Sequence, residues 1–147
     1  MNEFNIYLSG ALTGFTLDKQ LKWRNELIEL IKSNTTRPVR FFNPPKHFSP
    51  STNNHLTERE VMEFEIERLH KSDLVIVNLN YPKSIGTAME MAIAYDNKIP
   101  ILGLHRCSDE LHPWLGLSCN RIFKDKKELS DYVITNYLYD WEVLLNE

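Results

Sequence analysis

"DLVIVNLN", residues 73–80, runs apolar through Leu74–Val77 without polar alternation. A strand with one wet face alternates, whereas a strand covered by helices on both faces does not. This segment therefore reads as the centre of a parallel sheet, and its flanks agree. Before it, "TEREVMEFEIERLHKS" (57–72) has helical spacing. After it come a helix over "GTAMEMAIAYDN" (86–97) and a strand over "IPILGL" (99–104). Further out, "FNIYLSG" (4–10) reads as a first strand ending in a Gly turn. "LDKQLKWRNELIELIKS" (17–33) reads as an amphipathic helix with Leu21, Trp23, Leu27, Leu30 and Ile31 near one face. "PVRFFNPP" (38–45) is a second strand stopped by two prolines, and "FSPSTNNH" (48–55) a polar loop. "RIF" (121–123) is a short last strand, and 125–147 a helical tail.

Alternation of this kind predicts an α/β fold with right-handed crossovers. Five strands suit a flavodoxin-like (Rossmann-like) three-layer sandwich around a five-stranded parallel sheet, in a single domain over 1–147. Ligands of such sheets bind at the carboxyl ends of the strands, beside the switch point. The loop Ser9–Thr13, the turn Asn43–Pro45 and the loop Asn80–Thr87 converge there.

The composition is that of an ordinary soluble globular protein. A formal charge of −3 argues against a nucleic-acid polymer as partner. The two cysteines, Cys107 and Cys119, have no CxxC spacing and read as reduced thiols of a cytoplasmic protein. The start "MNEFNIYLSG" lacks the features of a signal peptide. No apolar run approaches the ~20 residues of a membrane span, so no membrane association is expected. The five histidines lack metal-ligand spacing, and neither a metal nor a cofactor is implied.

Two carboxylates stand where apolar residues are expected. In the helix over 57–72, Val61, Met62, Ile66 and Leu69 share one face, with Phe64 at its side. Glu63 and Glu67 point away from that face, but Glu65 falls within it. A buried carboxylate without a partner costs several kcal/mol or takes up a proton. Glu65 therefore has a task, or it is tied by a helix end or by an ion pair with Arg40 or Arg68. Glu90 sits among Ala88, Met89, Met91, Ala92, Ile93 and Ala94. "TAME" (87–90) fits a capping box, with Glu90 reaching back to the cap amide. Alternatively, Glu90 faces the binding edge near a helix start, whose dipole keeps it ionised as a nucleophile. The preceding "KSIG" can turn backbone N–H groups toward an anion. Two carboxylates aimed at one crevice suggest glycosidic chemistry, which in its retaining form sets them ~5 Å apart.

"IYLSGALTG", "KSDLVIVNLN" and "SIGTAMEMAIAYDNKIPILGL" together resemble the nucleoside 2-deoxyribosyltransferase superfamily, which includes the 2′-deoxynucleoside 5′-monophosphate N-glycosidases. The resemblance spans roughly residues 4–104. It implies a flavodoxin-like fold and a double displacement at C1′ of a (deoxy)ribose. Glu90 matches the nucleophile, and Ser84 the position six residues earlier that reads the sugar or its phosphate. The transferases typically have Asp there, and the nucleotide hydrolases Ser, so Ser84 favours a 5′-phosphate. Gly86, Thr87 and Lys83 would share that phosphate. Glu65 matches an acidic residue eight positions before Asp73, with Glu where the family usually has Asp. Tyr7 matches a tyrosine that orients the nucleophile, and also reads as a core aromatic. Ser9, Gly10 and Ala11 match the pocket floor, with Gly10 alternatively only a turn residue. Leu12 and Thr13 would touch the base.

The resemblance also implies a homodimer or higher homo-oligomer whose partner completes the pocket from the loop 105–120. His112, Trp114, Ser118 and Asn120 are the candidates there. Three functions fit: hydrolysis of a (deoxy)nucleoside 5′-monophosphate, base exchange by a nucleoside transferase, and a non-catalytic module sensing a nucleotide or NAD-like ligand. Base preference, and ribose against deoxyribose, are not written in the sequence.

Overall fold

The structure is a computed structural model and describes residues 2–47 and 56–139. The chain runs β1 (Phe4–Gly10), α1 (Leu17–Lys32), β2 (Val39–Phe42), α2 (Pro44–His47), α3 (Glu58–His70) and β3 (Leu74–Asn78). It continues through α4 (Ile85–Asp96), β4 (Ile101–Leu104), α5 (Pro113–Ser118), β5 (Arg121–Phe123) and α6 (Lys126–Asn136). All five strands are parallel, in the order β2-β1-β3-β4-β5. This is the flavodoxin-like order expected from the sequence. The switch point lies between β1 and β3, where the chain stops building toward β2 and starts building toward β4.

Every residue of β3 is buried, as its lack of alternation requires. Ile6, Leu8, Leu74, Ile76, Leu102 and Leu104 face one way, onto Leu27 and Ile31 of α1 and Leu129 and Val133 of α6. Tyr7, Val75, Val77 and Ile101 face the other way, onto Leu69 of α3 and Met91 and Ala94 of α4. Each such fully buried aliphatic side chain contributes about 1.5–3 kcal/mol of transfer free energy. The sandwich thus has α1 and α6 on one side and α3 and α4 on the other.

Local chemistry sets the helix starts. Thr16 caps α1 by accepting from the Lys19 amide. Thr57 and Glu60 form a reciprocal capping box at α3. Ser84 caps α4.

Three expectations need correction. The two prolines after β2 do more than stop the strand: Pro44 and Pro45 open the short helix α2, where a missing N–H is harmless. The segment 105–120, expected as loop, contains α5, with Pro113 at its start. Within the expected helical tail, α6 ends at Asn136, before Tyr139, the last described residue. The expected polar loop 48–55 and the tail 140–147 lie outside the described residues. No helix among the described residues is long and apolar enough to cross a membrane.

Candidate active site

A cleft of about 900 Å³ opens at the carboxyl ends of β1 and β3. Ala11, Leu12, Thr13 and Phe15 form one wall, and Val61, Met62 and Glu65 of α3 another. The segment from Tyr81 to Thr87, together with Glu90, closes the base. Phe15 and Tyr81 meet with ring centroids 4.4 Å apart. The Lys19 ammonium lies 4.9 Å and 5.4 Å from these two rings. Asn80 anchors the loop after β3, accepting at Oδ1 from the amides of Arg106 (2.8 Å) and Cys107 (3.1 Å).

Glu90 lies in the second turn of α4, on the side facing β1. Successive strand residues point to opposite faces, so Tyr7 and Ser9 both point toward α4. Ser9 Oγ donates to Glu90 Oε1 at 3.1 Å. Glu90 Oε2 and the Tyr7 hydroxyl are both buried without a well-formed hydrogen-bond partner. The hydroxyl is nonetheless close enough to favour the ionised carboxylate. Burial is the larger influence and lifts Glu90 to about 6, against Tyr7, Ser9 and the positive charge of Arg24. Burial, then the charges of Glu90 and Glu65, push Tyr7 far above the ordinary tyrosine range, so it stays a neutral donor. Glu65 is lifted to about 7, first by burial and then by Glu90, with Arg24 opposing. Near neutral pH the cleft therefore holds one carboxyl group that is mostly ionised and one that is partly protonated.

Both bland readings of the carboxylates fall away. Ser84 is the N-cap of α4, so Thr87 is not a cap and Glu90 lies beyond reach of the cap amide. The helix dipole is not what holds Glu90 ionised, because it acts within the first turn. Arg40 pairs instead with Glu3 at 3.2 Å, and the Arg68 guanidinium lies over the Phe64 ring. Among the described residues Glu65 has no ion pair. The apolar stripe of α3 also behaves unexpectedly. Only Leu69 is buried in the core, while Val61 and Met62 line the cleft.

The other expected residues divide. Ala11, Leu12, Ser84, Gly86 and Thr87 line the cleft. Ser84 Oγ accepts from Thr87 Oγ1 at 2.9 Å and lies 3.4 Å from the Thr87 amide, leaving its own hydroxyl hydrogen available. Ser9 and Gly10 are not part of the lining. Ser9 holds Glu90. Gly10 lies against Trp23, where an added Cβ would come within 2.8 Å of Cζ2. His112 caps α5 through Nδ1. Ser118 donates to the Leu115 carbonyl, and Asn120 accepts from the Ile101 amide. No group of three potential metal ligands occurs among the described residues.

Sequence reasoning missed Arg24, which is fully buried beneath the end of β1. Its signal was present: Arg24 lies three residues before Leu27 and seven before Ile31, on the apolar stripe of α1. The spacing test that exposed Glu65 also exposes it.

A profile of the family described as "Nucleoside 2-deoxyribosyltransferase like" matches residues 3–107. A search of curated proteins gave no match. Among solved structures, a conserved protein from Enterococcus faecalis superposes with a TM-score of 0.78 at 18% identity, covering 91% of this chain and 99% of that one. The 2-deoxyribosyltransferase of Bacillus psychrosaccharolyticus gives 0.70 at 16% identity, with 95% of each chain covered. A CMP N-glycosidase of Clostridium botulinum gives 0.58 at 18% identity, covering 89% of this chain and 98% of that one. At these identities the likenesses establish the fold.

Proposed function

The chain belongs to the nucleoside 2-deoxyribosyltransferase-like family, and from that premise we propose that it cleaves the N-glycosidic bond of a (deoxy)nucleoside 5′-monophosphate, releasing the free base. The observation that carries the reading is the Ser9–Glu90 hydrogen bond at 3.1 Å. It holds a buried carboxylate at the base of a cleft that also contains Glu65, whose burial raises its proton affinity.

In the first displacement a Glu90 carboxylate oxygen bonds to C1′ as the C1′–N bond breaks. The bonding pair leaves with the base, and Glu65 gives that base its proton. Tyr7 and Ser9 hold the attacking carboxylate in line. In the second, Glu65, now ionised, takes a proton from water. The water oxygen bonds to C1′, and the ester bond to Glu90 breaks. Were a second base to reach the ester before water, the outcome would be transfer.

Ser84 supports the monophosphate. It lines the cleft at the start of α4, its hydroxyl is free to donate, and the exposed Gly86 and the side chain of Lys83 flank it. A helix start offers amides and a positive dipole end to an anion. Leu12 and Thr13 line the facing wall of the cleft, and in this reading they meet the base.

The assay incubates the protein with each nucleoside and each 5′-monophosphate, with and without an acceptor base, and follows free base by chromatography. Release from monophosphates alone supports the reading. Exchange from free nucleosides would move it to transfer, and no turnover of any substrate would leave a ligand-sensing module.

A homodimer belongs to the same proposal. Ile85 and Met89 of α4 and Trp114 and Leu117 of α5 are exposed, although α4 and α5 pack together. Ile85 also lines the cleft, so a second copy on this face would abut the site. Light scattering of Trp114→Glu against the parent chain tests it.

A further inference from the structure

Helix α1 carries a guanidinium where its stripe calls for an apolar side chain. Among the described residues Arg24 is the one charged side chain that is fully buried, and it belongs to no ion pair. Its Nη1 donates to the Gln20 carbonyl at 2.6 Å and its Nη2 to the Gly10 carbonyl at 3.2 Å. Its Nε has no partner, and its plane packs on Trp23, 4.6 Å from the ring centroid. Burying a cation so thinly paired is unfavourable unless something nearby compensates.

Two features of the surroundings give this residue a task. The first is mechanical. One turn earlier, Gln20 Nε2 donates to the carbonyls of Leu12 (2.8 Å) and Phe15 (2.9 Å). Gln20 and Arg24 together hold residues 10, 12 and 15, and Leu12 and Phe15 form a wall of the cleft. The second is electrostatic. Arg24 reaches the end of β1 from the α1 side of the sheet, while Tyr7 and Ser9 point to Glu90 on the α4 side.

We propose that Arg24 is a positioning residue of the cleft: it clamps the loop after β1 from beneath by its bond to the Gly10 carbonyl, and it sets a buried positive charge directly behind the strand end from which Ser9 holds Glu90. The electrostatic half rests on the reading of Glu90 as the working carboxylate. The groups that face this charge are Tyr7 on β1, Glu65 on α3 and Glu90 on α4, and Glu58 acts in turn on Glu65. Burial lowers Arg24 only to about 10, so it remains a cation across the neutral range. Its charge pulls both Glu90 and Glu65 toward ionisation.

The test labels glutamate carboxyl carbons with ¹³C and titrates them by NMR, using Glu90→Gln and Glu65→Gln to assign the signals. In the parent protein the Glu90 midpoint is expected at about 6. In Arg24→Met it should rise by about one pH unit, the order of effect of one buried charge nearby. An unmoved midpoint overturns the electrostatic half. Arg24→Lys restores the charge but not the two-pronged reach, so the midpoint should return close to the parent value while KM rises about tenfold. A parental KM in Arg24→Lys overturns the clamp. Should Arg24→Met not fold, Arg24→Lys still decides. A Glu90 midpoint raised despite the restored charge, or an unchanged KM, sinks the proposal. If the parent chain turns over no nucleoside or monophosphate, the functional reading fails, and the titration still judges Arg24. If it is active, the acid limb of kcat/KM should move with the Glu90 midpoint.

Discussion

Replacing Glu65 by Gln removes the proposed proton donor while keeping its shape, and the structure sets what should follow. With Glu90 titrating at about 6 and Glu65 at about 7, the working form is the pair carrying one proton. That form peaks midway between the two values, near pH 6.5, where it makes up about three fifths of the molecules. On the same two values it falls from its peak about 7-fold by pH 5 and about 20-fold by pH 8.5. The parent enzyme should therefore show a bell-shaped kcat/KM profile, the quantity that reports the groups of the free enzyme. In Glu65→Gln the alkaline limb should vanish, because nothing remains to lose the proton, while the acid limb near 6 persists. At pH 6.5 the variant should lose about 10²–10⁴ in kcat, the range for a general acid. The assay is base release across pH 5–9 on two substrates, one with an ordinary nucleobase and one whose leaving group departs without protonation. The second should lose less than about tenfold. An alkaline limb still present at about 7 in the variant, or equal losses on both substrates, would refute the assignment of Glu65 as proton donor.

Other perturbations test the remaining parts. Folded Glu90 keeps its proton up to about pH 6, above the ordinary glutamate value of 4.5. The native state then binds more protons than the unfolded chain between those values, so stability falls as pH rises through that window and stays lower above it. Glu90→Gln should abolish turnover yet raise stability at pH 7.5 by up to about 2 kcal/mol, with no gain near pH 4.5; urea melts at both pH values check this. Ser84→Asp keeps an N-cap for α4 but brings a negative charge to the cleft. It should cut kcat/KM for monophosphates by about 100-fold or more, leaving the fold intact by circular dichroism. Gly10→Ala forces a methyl to within 2.8 Å of Trp23 Cζ2 and should cost about 1–3 kcal/mol by overpacking. Pairing it with Trp23→Leu should restore part of that loss, read from thermal melts.

Much of this protein follows from local patterns. The unbroken apolar run of 74–77 requires cover on both faces, and five short strand-like segments separated by helical spacing leave few topologies beyond the doubly wound parallel sheet. Glu65 and Glu90 stand out because a charge within an apolar stripe is anomalous wherever the stripe packs. What periodicity cannot say is which surface a stripe meets. The face of α3 carrying Val61 and Met62 looks like core but lines the cleft, and the Arg24 stripe looks like an ordinary surface helix but runs beneath β1. Short elements also escape: α2 and α5 are too brief for a helical period to register.

The sequence alone determined the run of strands and helices along the chain, hence the fold class, and the two anomalous carboxylates, because each follows from residue spacing within an element. Only the tertiary structure decided that Ser9 grips Glu90, that burial outweighs the other influences on its proton affinity, and that Arg24 lies buried beneath the end of β1. Those outcomes depend on distances between elements far apart in the chain. Charge–charge and desolvation energies follow such distances, and spacing along the chain does not encode them.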